Sequence, residues 1–265
     1  MPCVGGVTPV DRLPGGVSLL RAPNPGPMTL DGTNSWVLRA PGAAEAVVID
    51  PGPDDAGHLA ALVAAQPVST ILITHGHFDH VEGAARLSGL LGGVPVRAAD
   101  PAHCVRAEPL TPGLLELAGF AIEVLATPGH TTDSVCFVTP EAVFSGDTIL
   151  GRGTTVVAYP DGDLRSYLRS LVRLSAYGKM LLPGHGPALS DCGEVARAYL
   201  AHRQERLEQV REAVAGGAES AEAVVDVVYP DIDPRIRFAA EASARAQLDY
   251  LRWESQGAPE QLDPL

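Results

Sequence analysis

Thr70-Ile71-Leu72-Ile73-Thr74-His75-Gly76-His77-Phe78-Asp79-His80 is the stretch on which the fold turns. Its first five residues are a compact run rich in β-branched side chains, which predicts a buried strand. The next six hold four potential metal ligands, His75, His77, Asp79 and His80. A strand end delivers its last residues to the edge of a sheet, where α/β proteins bind ligands. Imidazole and carboxylate together suit zinc, with iron, manganese and nickel as further choices. Standing alone, the stretch would read equally well as a His-rich surface turn.

It does not stand alone. His130 closes Ala126-Thr127-Pro128-Gly129-His130, Asp147 closes Phe144-Ser145-Gly146-Asp147, and His185 closes Leu182-Pro183-Gly184-His185. Each follows a predicted strand and each has a glycine immediately before it, a residue that permits unusual φ and close backbone approach. Five of the eight histidines lie in these four short segments, which chance placement does not explain.

Working outward, segments 16–22, 35–40, 46–50, 94–98, 120–126, 134–139, 142–145 and 180–182 read as further strands, with a hairpin at Pro140-Glu141. Segments 58–65, 81–91 and 164–176 read as helices. Strands early, then strands mixed with helices, fit two sheets packed face to face with helices outside, an α/β sandwich. After about Asp191 the texture becomes charged and helical, with helices expected at 194–214, 220–228 and 238–253. This predicts two domains, 1–192 and 193–265, the second too small to bury much by itself. Residues 229–237 are left open as a wing, a loop or an interface.

Composition narrows the function. The net charge is −13, Lys179 is the only lysine, and residues 191–265 alone carry eight Arg against fifteen acidic residues. Nucleic-acid binders rely on neutralising cations, so the balance disfavours them and favours a small-molecule substrate. The N-terminal residues do not resemble a signal peptide and no apolar run is long enough for a membrane span, so a cytoplasmic location without membrane association is expected. Cys3, Cys104, Cys136 and Cys192 form no CxxC pair and read as small apolar fillers of a reduced protein.

The four segments resemble the metallo-β-lactamase fold superfamily of metallohydrolases, whose hallmark is HxHxDH followed by a later His, Asp and His. All seven positions are filled here. The resemblance implies a four-layer αββα sandwich holding two ions. The positions matching His75, His77 and His130 hold the first, those matching Asp79, His80 and His185 the second, and Asp147 bridges. Asp50, in Val-Val-Ile-Asp50-Pro-Gly, matches an acid that orients a ligand from behind. A finer resemblance, carried by Pro27–Asn34, Gly151–Val156 and His202–Arg206, is to the group named after lactamase-β-like protein 2. That group ends in a small helical, winged-helix-like domain.

Two divalent ions lower the pKa of bound water toward ~7, and a bridging hydroxide can then attack a carbonyl carbon or phosphorus. Asp79 is expected to help orient that water or move its proton. Substrate contacts are expected from Thr33, Asn34, Thr154, Thr155 and Tyr159. The preferred substrate is acyl: a thioester, lactone or lactam, as in the hydroxyacylglutathione hydrolases, although their glutathione-binding residues have no match here. Single-stranded RNA cleavage, implied by the finer resemblance, is the first alternative; a mono-iron persulfide dioxygenase is the second. The helical tail could serve as a homodimer surface.

Overall fold

In the computed structural model, which describes residues 7–256, the apolar run forms β4 (Val68–Leu72) at the heart of a five-stranded sheet. Its companions are β1 (Val17–Arg21), β2 (Asn34–Leu38), β3 (Ala46–Ile49) and β5 (Val96–Arg97), in the order β1-β2-β3-β4-β5. The first three run antiparallel, while β3, β4 and β5 are parallel. The second sheet holds β6 (Gly113–Leu117), β7 (Phe120–Ala126), β8 (Val135–Val138), β9 (Ala142–Gly146) and β10 (Met180–Pro183), ordered β10-β9-β8-β7-β6. Only its β9–β10 pair is parallel.

The sheets face each other across a dry core. Trp36, Leu38, Val47, Ile49 and Leu72 meet Val124, Phe137, Phe144 and Leu182, with Trp36 edge-on to Phe144 at 5.9 Å. Helices α1 (Ala56–Val63) and α3 (Ala84–Leu90) cover the outside of the first sheet through Leu59, Leu62 and Leu87. Helices α4 (Leu164–Leu174) and α5 (Cys192–Ala215) cover the second through Leu168, Leu171, Val195 and Tyr199. The architecture is therefore αββα. Asp55, Asp163 and Asp191 cap α1, α4 and α5, each accepting a backbone N–H of the first turn, at about 1 kcal/mol apiece.

Two elements depart from expectation. The helix read over 81–91 is split into α2 (Phe78–Val81) and α3 at Gly83, where a Cβ would sit 2.9 Å from Leu59 Cδ2 and 3.0 Å from Pro53 O. The break lets the ligand-bearing turn lie close under the 52–53 backbone. Strand β6 was not expected, because Pro112-Gly113 reads as a turn and Leu114 faces solvent. It is held by its hairpin with β7 through Ala118-Gly119, both at positive φ.

The C-terminal region is helical: the far half of α5, α6 (Ala221–Val228) and α7 (Arg237–Ser255) enclose a small core of Val210, Val224, Val225 and Ala244. Residues 229–237 form a turn and the 3-10 helix Pro234–Ile236. Among the described residues this region is helical and holds no strand. The expected division at 192/193 falls on the first residue of α5, whose first half lies in the core outside the second sheet. Cys136 and Cys192 are buried free thiols in that core, where burial pushes both above their usual range. Cys3 lies outside the described residues. Among the described residues no helix is long and apolar enough to cross a membrane.

Candidate metal centre

The four segments that carry the predicted ligands follow strand ends of this sandwich, with Asp79 and His80 on the short helix α2. The chain leaves β4 into Thr74 and His75, β7 into the turn carrying His130, β9 into Asp147 and β10 into His185. The glycines before them are places where no side chain fits. A Cβ on Gly129 would sit 2.2 Å from the Tyr167 backbone, on Gly146 2.4 Å from Thr74 Oγ1, and on Gly184 2.4 Å from Asp147 Oδ1. Gly129 and Gly146 also adopt positive φ.

The seven side chains converge. His77 Nδ1 lies 3.1 Å from His75 Nε2 and 2.9 Å from His130 Nε2. His185 Nε2 lies 3.2 Å from His80 Nε2, 3.1 Å from Asp79 Oδ2 and 3.4 Å from Asp147 Oδ2. Asp147 stands between the two groups, with Oδ1 3.5 Å from His80 Nε2 and Oδ2 3.9 Å from His130 Nε2. Three overlapping sets have their ligand atoms within 4.8 Å of one another: His75/His77/His130, His75/His80/Asp147 and Asp79/His80/His185.

The opposite edges of the rings show which way the lone pairs point. His130 Nδ1 is 2.6 Å from Val156 O, and His185 Nδ1 is 3.3 Å from Gly32 O. A carbonyl only accepts, so both Nδ1 atoms donate, and in the neutral rings both Nε2 atoms present lone pairs to the centre. His80 Nδ1 lies 2.8 Å from Asp50 Oδ2, which sets the same orientation. Facing lone pairs such as those of His80 and His185 repel unless a proton or a cation lies between them. Asp147 Oδ1 is buried and has no hydrogen-bond partner. Inward lone pairs, an orphaned carboxylate oxygen and fixed outward donors are the requirements of a metal site with its supporting contacts in place.

Asp50 is the hub of that support. It is buried, at φ 51°, and accepts from Thr74 N at 2.8 Å and Thr74 Oγ1 at 2.7 Å besides contacting His80. Thr74 Oγ1 in turn lies 3.0 Å from His75 Nδ1.

Of the expected substrate contacts, Tyr159 alone borders the opening above the ligands. Asn34 is fully buried; its amide donates to Pro183 O and Gly186 O and accepts from Arg21, which ties β2 to the His185 turn and leaves nothing for substrate. Thr155 is buried and donates to Asp147 O at 2.8 Å, bracing a ligand. Thr33 donates to Asp79 Oδ2 at 3.2 Å, orienting another. Thr154 is half-buried and away from the opening. The opening, of about 280 Å³, is bordered instead by Met28, Val156, Ala158 and Tyr159 and, from α7, by Phe238, Ala239 and Ala242. The sequence signal for α7 was present but mute: Phe238 is an aromatic on the first turn of a helix whose place against the site depends on the tertiary fold.

Arg203, on α5, also supports the site. It is buried, its guanidinium lies 5.1 Å from the centre of the Tyr167 ring, and it donates to Thr155 O. Tyr199, one turn earlier, hydrogen-bonds Gly153 O at 2.9 Å. The loop they clamp carries Thr155 and Val156, the partners of Asp147 and His130.

In the metal-free site the ligands share protons. Burial alone would raise Asp79 and Asp147; the imidazoles beside them, His185 and His80, more than offset it and hold both below the carboxylate range. Burial alone would lower His185, but Asp147 and Asp79 push it up to about 11. Burial lowers His130 to about 4, against the opposing pull of Asp147.

Comparison with known proteins agrees with this geometry. Residues 28–185 match the family model described as Metallo-beta-lactamase superfamily. The chain is 31% identical over 268 residues to the beta-lactamase-like protein 2 homolog of Caenorhabditis elegans, covering 95% of this chain and 89% of that protein. It is 34% identical over 200 residues to an atrochrysone carboxyl ACP thioesterase of Aspergillus fumigatus, covering 71% of this chain and only 61% of the thioesterase. Among solved structures, a metallo-beta-lactamase family protein of Thermus thermophilus superposes with TM-score 0.76 at 26% identity, covering 91% and 94% of the two chains. Four converging strand ends, a family model spanning them and relatives aligned along nearly the whole chain lead to one statement: the chain belongs to the metallo-beta-lactamase superfamily.

Proposed function

We propose that the protein is a binuclear, zinc-dependent hydrolase of acyl substrates, thioesters foremost. The observation that carries the proposal is the convergence of five imidazoles and two carboxylates, with His75, His80, His130 and His185 held from behind by Thr74, Asp50, Val156 O and Gly32 O. His75, His77 and His130 would hold one ion, Asp79, His80 and His185 the other, and Asp147 both. When bound, the two ions supply activated water and a Lewis acid for the attacked carbonyl. The chain's own residues position those ligands: Asp50 sets His80, Val156 O sets His130, Gly32 O sets His185 and Thr33 sets Asp79. Asp79 is the more exposed of the two ligand carboxylates, at 26% against 12% for Asp147. Its greater exposure supports the proposal that Asp79 would help orient the attacking water or move its proton. In the balanced reaction, water adds to the carbonyl carbon, the C–S bond breaks, and a carboxylic acid and a thiol leave.

The substrate class is supported by the thioesterase named among the relatives. It is also supported by the surface of the helical region, where Arg211, Arg235, Arg237 and Arg245 are each ion-paired with a neighbouring carboxylate and so are neutralised as phosphate contacts. The test is a parallel assay of the zinc-loaded protein on thioesters, lactams and single-stranded RNA, with His77→Ala as control. Thioester turnover abolished in His77→Ala is the expected result. RNA cleavage abolished in the same variant, without thioester turnover, would overturn the substrate class.

Metal loading should depend on pH with a definite sign. His185 keeps its proton up to about 11 in the metal-free site, so an ion entering beside Asp79 and His80 must displace it. Apparent affinity at that position is therefore expected to rise with pH, by about tenfold per unit between roughly pH 6 and 8 for one displaced proton. The linked stability has the opposite trend. A raised folded pKa stabilises the metal-free protein fully below ~6.5 and less as pH climbs toward 11. Chelator competition measured across this range checks the first trend, and thermal unfolding of the metal-free protein the second.

A further inference from the structure

Large apolar side chains exposed in a group call for an occupant. Three stand around the opening above the metal ligands: Met28 is 41% exposed, Tyr159 39% and Phe238 59%. Val156, Ala158 and Ala242 fill in between them. Among the described residues, the only carboxylates bordering the opening are Asp79 and Asp147, which are ligands, and no lysine or arginine borders it. Above the candidate metal ligands at its base, the walls of the opening therefore offer no lysine or arginine to a phosphate, a nucleotide or a carboxylate carried on the acyl group. At about 280 Å³ the space lies near the lower bound of small-molecule sites, roughly 300–1,000 Å³.

The wall contributed by α7 packs against α5 and α6 through Ala244, Val210, Val224 and Val225. Arg237, its first residue, is paired with Asp226 of α6 at 2.8 Å and with Glu241 at 2.9 Å. Phe238 follows directly, and Ala239 and Ala242 continue along the helix beside the opening as small residues that leave room next to it.

Building on the thioesterase reading above, we infer that this opening is an acyl-chain site: the substrate carries an apolar acyl group seated between Met28, Tyr159 and Phe238. The acyl carbonyl then lies over the metal ligands at the base of the opening, and the thiol-bearing half stays outside. The first turns of α7 thereby become the chain-length determinant, which gives the C-terminal region a role in substrate choice.

The test uses the zinc-loaded protein and N-acetylcysteamine thioesters from acetyl to octanoyl, whose thiol half is neutral and constant. Burial of one methylene corresponds to about a three- to fourfold gain. The expected result is that kcat/KM climbs by about that factor per methylene along the series. In Phe238→Ser the octanoyl-to-acetyl ratio should fall by about tenfold. Ala242→Trp, which fills the opening, should invert the preference toward acetyl. Phe238 is largely exposed, so its replacement spares the core, and zinc content measured on each variant separates a lost chain site from a lost metal. Equal kcat/KM for acetyl and octanoyl thioesters, or a Phe238→Ser variant slowed equally on both, would overturn the acyl-chain site while leaving the thioesterase reading intact. Hydrolysis of no thioester at all would overturn the thioesterase reading, and the acyl-chain site with it.

Discussion

Asp147→Ala is expected to lose at least one of two metals per chain and to hydrolyse acyl substrates at least about 10³-fold more slowly than the parent. Asp147 stands against both candidate ligand groups, with Oδ1 near His80 and Oδ2 near His185 and His130. Its Oδ1 has no hydrogen-bond partner, so in the metal-free protein it is a buried acceptor waiting for a cation. Removing the carboxylate takes one negative charge from a site that would carry four positive charges from two divalent ions, and it takes away the link between them. The fold should survive, because Asp147 lies beyond the end of β9 and its main-chain O, which accepts from Thr155, is retained. Elemental analysis of the purified variant and its kcat/KM on a thioester give the answer. Full metal content with full activity would remove Asp147 from the bridging position.

The second large effect is at Asp50, which touches no substrate. Asp50→Asn should weaken metal binding by about 10- to 100-fold and reduce stability by roughly 1–3 kcal/mol. Asparagine keeps the size and tolerates φ 51°, so backbone strain is not the cause. The cause is chemical. Asp50 accepts two hydrogen bonds from Thr74 and one from His80 Nδ1. An amide cannot accept all three, and if its NH₂ faces His80 the ring proton moves to Nε2, the atom the metal needs. Asp50→Ala should be worse, since it strips Thr74 N–H of its buried partner and puts alanine at positive φ. Competition against a zinc chelator and thermal unfolding of the metal-free proteins separate the two contributions. Unchanged affinity in Asp50→Asn would show that His80 is held by something other than Asp50.

The site was more legible in the sequence than its surroundings were. Candidate ligands at strand ends stand out because metal chemistry favours His and Asp and the close packing there demands a glycine beside them, as at Gly129, Gly146 and Gly184. Asp50 could be read only through the resemblance, since a carboxylate before Pro51 would by itself pass for a turn residue. Substrate contacts were not legible. Asn34, Thr154 and Thr155 are polar residues near the right strands, but polarity does not tell a side chain that binds backbone from one that faces the opening. Phe238, Ala239 and Ala242 lie more than fifty residues beyond His185, and only the packing of α7 brings them to the opening. Strand β6 was missed because its outward Leu114 is apolar as well, which masks the alternation by which Leu115 and Leu117 pack on the core.

Arg203 and Tyr199 carry a consequence for how separable the two halves of this protein are. Both belong to α5, and both reach back to the loop that sets His130 and Asp147. The same helix, further on, supplies Val210 and Ala213 to the core of the C-terminal region. One rigid rod thus crosses what looks in the sequence like a border. A fragment ending at residue 192 would keep every candidate ligand and lose the arm that braces two of them, so it is expected to bind metal more weakly than the full chain. Swapping in a foreign tail would have to preserve the first three turns of α5, and the natural place to recombine such proteins lies after Arg203.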